Sequence, residues 1–192
     1  MEPATPESLI AFEKEIEELY TDGKIHSPVH FSRGNEEELI EIFKDVKKDD
    51  WVFSTHRSHY HALLKGADPE WLKNEILENR SMHINFDKFV TSSIVGGVLP
   101  IATGVAMALK RQGSPNKVWV FVGDMASLTG IFTECESYAC GHELPLELII
   151  EDNGVSVNTP TYKVWGAGVP NTRHYSYTRG LPHHGTGAWI NF

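Results

Sequence analysis

The sequence contains few cysteines, few basic residues and no long apolar segment. Its 192 residues include only two cysteines, and 26 Asp and Glu residues outnumber 17 Lys and Arg residues, which gives a net charge of −9. No apolar run approaches the roughly 20 residues that cross a bilayer, so we expect neither a membrane span nor a signal peptide. The negative charge argues against nucleic acid or an anionic membrane as the main partner.

The two cysteines, Cys135 and Cys140, lie close together in the sequence. Their spacing fits neither a zinc site nor a disulfide framework. We therefore expect both to be buried free thiols in a reducing, cytoplasmic environment. The length allows one domain with a sizeable core, and the sequence contains no internal repeat or low-complexity segment.

The first 49 residues have the pattern of a helical N-terminal segment. Apolar residues recur at helical spacing in residues 7–21, and the acidic remainder is interpreted as a solvated face. Residues 22–34 contain the Gly, Pro and Ser that are typical of a loop. Asn35 is expected to cap a second helix that runs to Lys48.

Two apolar segments further along, residues 118–122 and 146–150, predict buried strands because they are short and rich in β-branched residues. Residues 127–142 between them have the length and pattern of a helix. A strand, a helix and a second strand form a βαβ unit, whose strands are parallel neighbours. We therefore expect an α/β fold with a mostly parallel sheet flanked by helices. Residues 173–179 alternate in a way that predicts a last strand.

Both strands of this predicted unit are followed by polar residues, Gly123-Asp124 after the first and Asp152-Asn153 after the second. The carboxyl ends of parallel strands meet at one edge of the sheet, where open α/β sheets bind ligands. Side-chain oxygens of Asp124 and Asn153 suit a hard cation such as Mg²⁺. Backbone N–H groups at the start of the next helix favour an anion. These residues predict a metal held beside a diphosphate.

The segment 50–66 is rich in histidine, with His56, Arg57, His59 and His61 inside six positions. The histidines lack the i, i+4 pairing of a helical zinc site. A guanidinium can bind a phosphate through two hydrogen bonds, so anion recognition is the better interpretation. A polar helix N-terminus remains an alternative. A histidine-rich zinc protein is a further alternative, which metal analysis would test.

Residues 118–161 resemble a known family. Gly123-Asp124-Met125, a gap of 26 residues and then Asp152-Asn153 is similar to the thiamine-diphosphate signature Gly-Asp-Xaa to Asp/Asn-Asn. Several further residues resemble the alpha subunit of the thiamine-dependent 2-oxo acid dehydrogenases: Gly130, Glu134, Ala139, Leu144-Pro145 and Glu151. Residues 152–157 are closer to transketolase. The family has Gly at position 125, and Met does not readily adopt positive φ, so we expect a rearranged loop there.

The resemblance implies a thiamine-diphosphate-binding fold in which residues 1–192 form one diphosphate-binding domain, with thiamine diphosphate and Mg²⁺ as cofactors. It implies that the metal ligands are Asp124, Asn153 and the carbonyl of Val155. It also implies a set of cofactor contacts, of which Ser93 and Val95 would use backbone groups: Arg57, His56, Ser93, Val95, Gly123, Met125, Ala126 and either His183 or His184. The resemblance leaves three histidines for substrate anions or proton transfer: His56, His59 and His83.

The resemblance further implies a partner, because only one cofactor-binding half is visible in this sequence. A separate beta subunit would carry the pyrimidine-binding domain and the catalytic Glu, in an α2β2 heterotetramer. The implied activity is decarboxylation of a small 2-oxo acid with oxidative acyl transfer. Two alternatives stay open: carbon–carbon bond transfer of the transketolase or acyloin-forming type, and a non-catalytic degenerate subunit, which the shortness of the chain and Met125 would suit.

Overall fold

The structure is a computed structural model that describes residues 4–166 and 168–181. The helices within these residues are α1 (Pro6–Thr21), α2 (Glu36–Phe43), α3 (His59–Lys65), α4 (Pro69–Leu77), α5 (Val98–Arg111), α6 (Asp124–Ser127), α7 (Gly130–Gly141) and α8 (Thr161–Trp165). The strands are β1 (Trp51–Ser54), β2 (Asn85–Phe86), β3 (Phe89–Thr91), β4 (Val118–Gly123), β5 (Leu146–Asp152), β6 (Val155–Ser156), β7 (Thr159–Pro160) and β8 (His174–Ser176).

Six of these strands form one sheet in the order β2-β3-β1-β4-β5-β8. Neighbouring strands from β3 to β8 are parallel, whereas β2 pairs with β3 in the antiparallel direction. The prediction of an α/β fold with a mostly parallel sheet is confirmed. Strands β6 and β7 form a separate antiparallel hairpin.

The central strand β4 is buried on both faces because its side chains alternate between two apolar clusters. Val118, Val120 and Val122 pack with α5 and α7 on one face. Trp119 and Phe121 pack with the N-terminal helices on the other face. A run of β-branched and aromatic residues is typical of a strand in a sheet that is covered on both sides. The packing therefore holds β4 in the interior of the sheet, between β1 and β5.

The predicted βαβ unit is confirmed. Strands β4 and β5 are parallel neighbours, with Val118 opposite Leu146 and Gly123 opposite Glu151. Each strand extends one or two residues beyond the predicted range. This register brings the residues that follow the two strands to the same edge of the sheet.

The helix predicted over residues 127–142 is wrong in its first part, because two separate helices follow β4. The hydroxyl of Ser127 donates to the carbonyl of Asp124, and that of Thr129 donates to the carbonyl of Ala126, each at 2.7 Å. Side-chain hydroxyls that bond nearby backbone carbonyls offer an alternative to a continuing helix. The short helix α6 therefore ends at Ser127, and α7 begins at Gly130.

Helix α1 begins where the sequence predicts, with a capping box between Thr5 and Ser8. Its acidic face is solvated except at Glu13, which is fully buried, so the interpretation of a wholly exposed acidic face is wrong there. Helix α2 ends at Phe43 rather than at Lys48.

Helices α1 and α2 share a core with the sheet. Leu9, Phe12 and Leu39 belong to the same apolar cluster as Trp119 and Phe121. The N-terminal segment therefore packs directly on the face of the sheet. The assignment of residues 1–192 to one diphosphate-binding domain, with residues 1–49 as its helical N-terminal segment, stays a prediction.

Cys135 is buried, but Cys140 is exposed, so the expectation of two buried thiols is wrong for Cys140. The reason is its place on the solvent side of α7. Among the described residues, no helix is long and apolar enough to cross a membrane. The described part of the chain also places no three His, Cys, Asp or Glu side chains together as a metal-binding group, which gives the zinc alternative no support.

Candidate functional site

A pocket opens at the edge of the sheet where β1, β4 and β5 end. Its enclosed volume is about 80 Å³. It is lined by three groups of residues that follow or end these strands, by the loop after β3, by the β6–β7 hairpin and by Tyr177. The lining includes most of the residues predicted from the sequence: His56, Arg57, Val95, Gly123, Asp124, Met125, Ala126, Asn153 and Val155.

Asp124 is the first residue of α6 and is only 2% exposed. Its carboxylate accepts a hydrogen bond from the hydroxyl of Thr161. Burial raises the pKa of Asp124, the hydrogen bond from Thr161 opposes this shift, and the charge of Asp152 adds to it. In the part of the chain that the structure describes, no Lys, Arg or His forms an ion pair with Asp124. A buried carboxylate without a cationic partner favours a bound cation.

Asn153 follows β5 and points into the same pocket. Its amide oxygen accepts from the backbone N–H of Val155 at 3.1 Å, and its amide nitrogen donates to the hydroxyl of Tyr177 at 3.2 Å. These two bonds fix which end of the amide carries the oxygen. Gly154 has a φ of +72°, which allows the chain to turn back towards the pocket after Asn153.

The candidate metal ligands fit a hard divalent cation. Asp124 supplies one carboxylate, and Asn153 and Val155 supply neutral oxygens, so every donor is oxygen. Mg²⁺ is usually held by one or two carboxylates together with waters and phosphate oxygens. Such a set is suited to a cation that shares its coordination with a bound diphosphate.

Met125 lies within α6 and is not among the residues with positive φ. The backbone at Met125 therefore does not need the freedom of glycine, and the expectation of a rearranged loop at this position stays a prediction. Gly123 has an extended backbone, with φ −75° and ψ 161°. Gly123, Met125 and Ala126 all line the pocket.

Arg57 lies in the pocket, where its guanidinium donates to the carbonyl of Phe31. His56 lines the pocket as well, and its ring meets that of His30 edge-on, with 4.3 Å between the centroids. The loop that precedes α2 therefore holds the Arg57 side chain in place. From the sequence alone this loop was expected only to connect two helices.

The structure separates the three histidines that were predicted for catalysis. His56 reaches the pocket, His83 is exposed in the loop after α4, and His59 is fully buried in the core. The His59 ring lies 2.9 Å from the Ser81 hydroxyl and against Phe12 and Phe31. Burial, followed by the charges of Arg57 and His61, lowers the pKa of His59 to about 3, so the ring is neutral. Its position indicates a structural role.

Of the two backbone positions predicted for the pyrimidine, Val95 lines the pocket and Ser93 does not. The hydroxyl of Ser93 instead lies 3.4 Å from His83. Ser93 and His83 therefore belong to a second loop pair beside the pocket. His183 and His184, predicted for the diphosphate, lie outside the described residues.

Glu151 lines the pocket although the sequence analysis gave it no function in the site. Asn35 donates to its carboxylate at 3.2 Å, Tyr175 donates to the same oxygen, and His61 Nε2 lies 3.3 Å away. Burial on its own would raise the pKa of Glu151, but His61 and Tyr175 hold this pKa below its usual value. Its position directly before Asp152-Asn153, at the end of β5, could have indicated from the sequence that it lies at the pocket.

Arg179 is the second residue that sequence reasoning missed. Its guanidinium donates at 3.0 Å to the carbonyl of Val157, which lines the pocket. Burial and then the neighbouring charge of Arg57 lower the pKa of Arg179. Arg57 lines the pocket and Arg179 bonds to one of its lining residues, and two guanidinium groups near one pocket favour an anion there. The alternation of residues 173–179 predicted a strand with polar side chains, but it did not predict that Arg179 would bond to the β6–β7 hairpin.

The β6–β7 hairpin covers one side of the pocket under backbone strain. Val157 adopts a φ of +56°, which is unusual for a β-branched residue. Strain of this kind persists where surrounding contacts hold it and is common at functional sites. The hydrogen bond from Arg179 to the carbonyl of Val157 is such a contact.

Comparison with known proteins gives one family over most of the chain. Residues 6–167 match the family model described as dehydrogenase E1 component. The alpha subunit of acetoin:2,6-dichlorophenolindophenol oxidoreductase from Bacillus subtilis is 32% identical over 161 residues, which are 78% of this chain and 48% of that protein. The alpha subunit of the pyruvate dehydrogenase E1 component from Rickettsia prowazekii is 34% identical over 77% of this chain and 49% of that protein.

The chain spans about half the length of the curated relatives it matches. Among solved structures, one from Mycobacterium smegmatis, described as a candidate thiamin diphosphate-dependent enzyme, aligns with a TM-score of 0.40 and 18% identity. That alignment covers 60% of this chain and 20% of the other.

Proposed function

The chain belongs to the dehydrogenase E1 component family, and from this premise we propose that it is the alpha-type chain of a two-component thiamine-diphosphate enzyme. We propose decarboxylation of a small 2-oxo acid with oxidative acyl transfer as the reaction. One observation carries the proposal: Asp124 and Asn153, separated by the spacing of the cofactor signature, line a single pocket at the carboxyl edge of the sheet. That edge is where open α/β sheets bind ligands.

In this proposal the cation is Mg²⁺, held by Asp124, Asn153 and the carbonyl of Val155. The buried carboxylate of Asp124 supplies the charge, and the fixed amide of Asn153 supplies a neutral oxygen. The remaining positions around the metal are left for oxygens of the diphosphate and for water, which is how Mg²⁺ commonly meets phosphates.

The diphosphate is proposed to lie between the backbone of residues 123–126 and the two guanidinium groups. Gly123, Met125 and Ala126 offer N–H groups at the start of α6. Arg57 and Arg179 compensate the negative charge, and His56 donates alongside them. The chain as a whole is acidic, with a net charge of −9, so an anion has to be held by such local features.

Thiamine diphosphate supplies the carbon nucleophile and accepts the electrons released by bond cleavage. The chain's own part is to anchor and orient that cofactor. We propose that backbone groups of Ser93 and Val95 contact its aminopyrimidine, and that His56 and His83 are available for proton transfer. We no longer propose His59 for that task, because it is buried against Ser81 and away from the pocket.

A second chain is proposed to complete the site. An enclosed volume of about 80 Å³ is far below the roughly 300–1,000 Å³ of pockets that hold a whole small-molecule ligand. Large apolar side chains are exposed in the pocket lining, namely Ile94, Val95 and Val157, and on helix α8, namely Tyr162, Val164 and Trp165. Exposed apolar groups that cluster in this way mark protein contacts. We propose a beta subunit that carries the pyrimidine-binding domain and the catalytic Glu, in an α2β2 assembly.

A second candidate reaction is cleavage or formation of an acyloin carbon–carbon bond. The Bacillus subtilis relative, whose name refers to acetoin, is about as similar as the pyruvate dehydrogenase subunit. The two reactions would share the whole site described above. Product analysis with a 2-oxo acid, with and without an acceptor aldehyde, separates them.

Calorimetric titration with thiamine diphosphate and Mg²⁺ tests the proposal, on the chain alone and with its beta subunit. We expect binding that requires the metal and that Asp124→Ala abolishes. Binding seen only with the partner would support a site shared between chains. No binding in either state, with folded protein, would overturn the proposal and favour a non-catalytic subunit.

A further inference from the structure

Thr161 connects the two segments that carry the candidate metal ligands. Its hydroxyl donates to the carboxylate of Asp124, which lies 37 residues earlier. Its backbone N–H donates at 3.0 Å to the carbonyl of Gly154, next to Asn153. Thr161 is only 5% exposed, so neither bond competes freely with water. One residue therefore holds both sides of the site.

The other end of the same helix is also attached to the site. Trp165, the last residue of α8, donates from its indole nitrogen to the sulfur of Met125 at 3.0 Å. Met125 is the neighbour of Asp124 in α6. Helix α8 therefore contacts the Asp124 carboxylate at its first residue and the adjacent Met125 side chain at its last.

The hydrogen bond from Thr161 restricts how the Asp124 carboxylate can present its oxygens. A carboxylate has two oxygens and about four lone-pair sites. Thr161 occupies one site on Oδ2, which limits rotation of the carboxylate and leaves its other lone pairs for a ligand. Asp124 lines the pocket, so these lone pairs are available to a cation bound there. A cation meets a ligand that is already oriented, which reduces the entropy lost on binding.

On this basis we propose that Thr161 is the positioning residue of the cation site: it orients the Asp124 carboxylate, fixes its separation from Asn153 and couples α8 to metal loading. The inference rests on the proposed function, because it concerns the same cation. It adds a residue that lies outside the cofactor signature. Thr161 does not touch the metal and acts through Asp124.

The test compares Thr161→Val, which keeps the shape but removes the hydroxyl, with Thr161→Ser, which keeps the hydroxyl. Thr159→Val is the matched control, because Thr159 is an exposed threonine of β7, two residues before Thr161. The affinity for Mg²⁺ is measured by calorimetry with saturating thiamine diphosphate, in whichever state, alone or with the beta subunit, the wild-type chain binds. The stability of each variant is measured by denaturant unfolding alongside the Mg²⁺ affinity.

We expect Thr161→Val to weaken Mg²⁺ binding about tenfold or more, as the loss of a hydrogen bond to a charged group implies. Thr161→Ser and Thr159→Val should stay within about threefold of the wild type. Rescue by serine would separate positioning from a general loss of stability. Wild-type or tighter Mg²⁺ binding by Thr161→Val would overturn the inference while leaving the proposed function intact. Failure of the wild-type chain to bind would instead overturn the proposed function.

A second measurement uses the wild-type fold and does not depend on the stability of a Thr161 variant. Trp165 is about half exposed and lies against Met125, so its fluorescence reports movement of α8. Mg²⁺ with thiamine diphosphate should change the emission of the wild-type chain, and Trp165→Phe should remove that change. Cofactor binding that leaves the Trp165 emission unaltered would contradict the coupling of α8 to the metal.

Discussion

The side-chain amide of Asn35 donates a hydrogen bond of 3.2 Å to the carboxylate of Glu151, although the two residues are 116 positions apart. The same amide donates to the hydroxyl of Tyr175 at 2.9 Å. Asn35 is the N-cap residue of α2, as predicted, but its side chain makes no capping bond. The side chain supports the end of β5 instead, because a buried carboxylate is the stronger acceptor within reach.

This relationship predicts opposite outcomes for one substitution. Asp is as good an N-cap as Asn, so Asn35→Asp would be harmless if the side chain served only to cap α2. Beside Glu151 it instead buries a second carboxylate against the first, and we expect a loss of about 2–4 kcal/mol in the free energy of unfolding at pH 8. Asn35→Ala should lose less, since it adds no charge. Denaturant unfolding measures both, and equal stability of wild type and Asn35→Asp would contradict the assignment.

The contributions of His61 and Glu151 to the free energy of unfolding are expected to be coupled. His61 Nε2 lies 3.3 Å from Glu151, and both side chains are buried. His61→Phe keeps the ring among Phe43 and Phe121 but leaves the carboxylate without this partner. We expect a loss of about 3 kcal/mol. Adding Glu151→Gln to His61→Phe should recover part of it, and a double-mutant cycle by denaturant unfolding measures the coupling. Additive effects would argue against an interaction.

Glu13 should make the stability of the protein depend on pH. Burial raises its pKa from 4.5 to about 7, against hydrogen bonds from the backbone N–H groups of Ser32 and Arg33. The unfolded chain therefore loses this proton at lower pH than the folded chain. The stabilising contribution is fully present below about pH 4.5 and is lost as the pH rises through about 7, a change of roughly 3 kcal/mol.

Glu13→Gln should remove most of that slope in the free energy of unfolding between pH 5 and pH 8. Glu15→Gln is the control, because Glu15 is a half-exposed residue of the same helix. Denaturant unfolding at closely spaced pH values provides the comparison. An unchanged slope in Glu13→Gln would assign the pH dependence to another group.

Arg179→Gln should weaken the binding of thiamine diphosphate with Mg²⁺ by about tenfold, because a charge-assisted contact to phosphate is lost. The remaining binding should depend less on salt. Arg173→Gln is the matched control, since Arg173 is an exposed arginine that lies near Asp45 and over Trp119. Calorimetry at two ionic strengths measures both variants. Equal weakening by the two substitutions would indicate a general charge effect.

Asp124→Asn should separate binding from stability. It removes a buried charge whose pKa burial already raises, so the cofactor-free variant should be as stable as the wild type or more stable at pH 8. The gain in melting temperature on adding thiamine diphosphate and Mg²⁺ should disappear. Asp152→Asn should keep that gain, because Asp152 lies outside the pocket lining. Thermal unfolding with and without the cofactors tests both expectations.

Local patterns predicted the sheet edge well. The strands around Asp124 and Asn153 were predictable because alternating burial and β-branched content are properties of a few consecutive residues. That both strands end at one edge follows from the parallel βαβ connection, which the short spacing enforces. The cation and anion chemistry of the pocket could therefore be inferred from residues 118–161.

The roles of the three histidines could not be inferred in this way. His56, His59 and His61 are nearly adjacent in sequence, but His56 precedes α3 while the other two lie within it. Packing against Phe12 and Phe31 turns His59 into the core, and Phe121 and Glu151 receive His61. Which side of a helix faces the core depends on packing partners that are distant in sequence.

For this chain, residue type and spacing were sufficient for the fold class, the family and the position of the pocket, because each depends on short-range pattern. The contacts that complete the pocket join distant segments: Phe31 to Arg57, Asn35 to Glu151 and Thr161 to Asp124. Such contacts exist only once the N-terminal loop and α8 have packed against the sheet. They depend on the direction in which each side chain points in the folded state, and no local propensity specifies that direction.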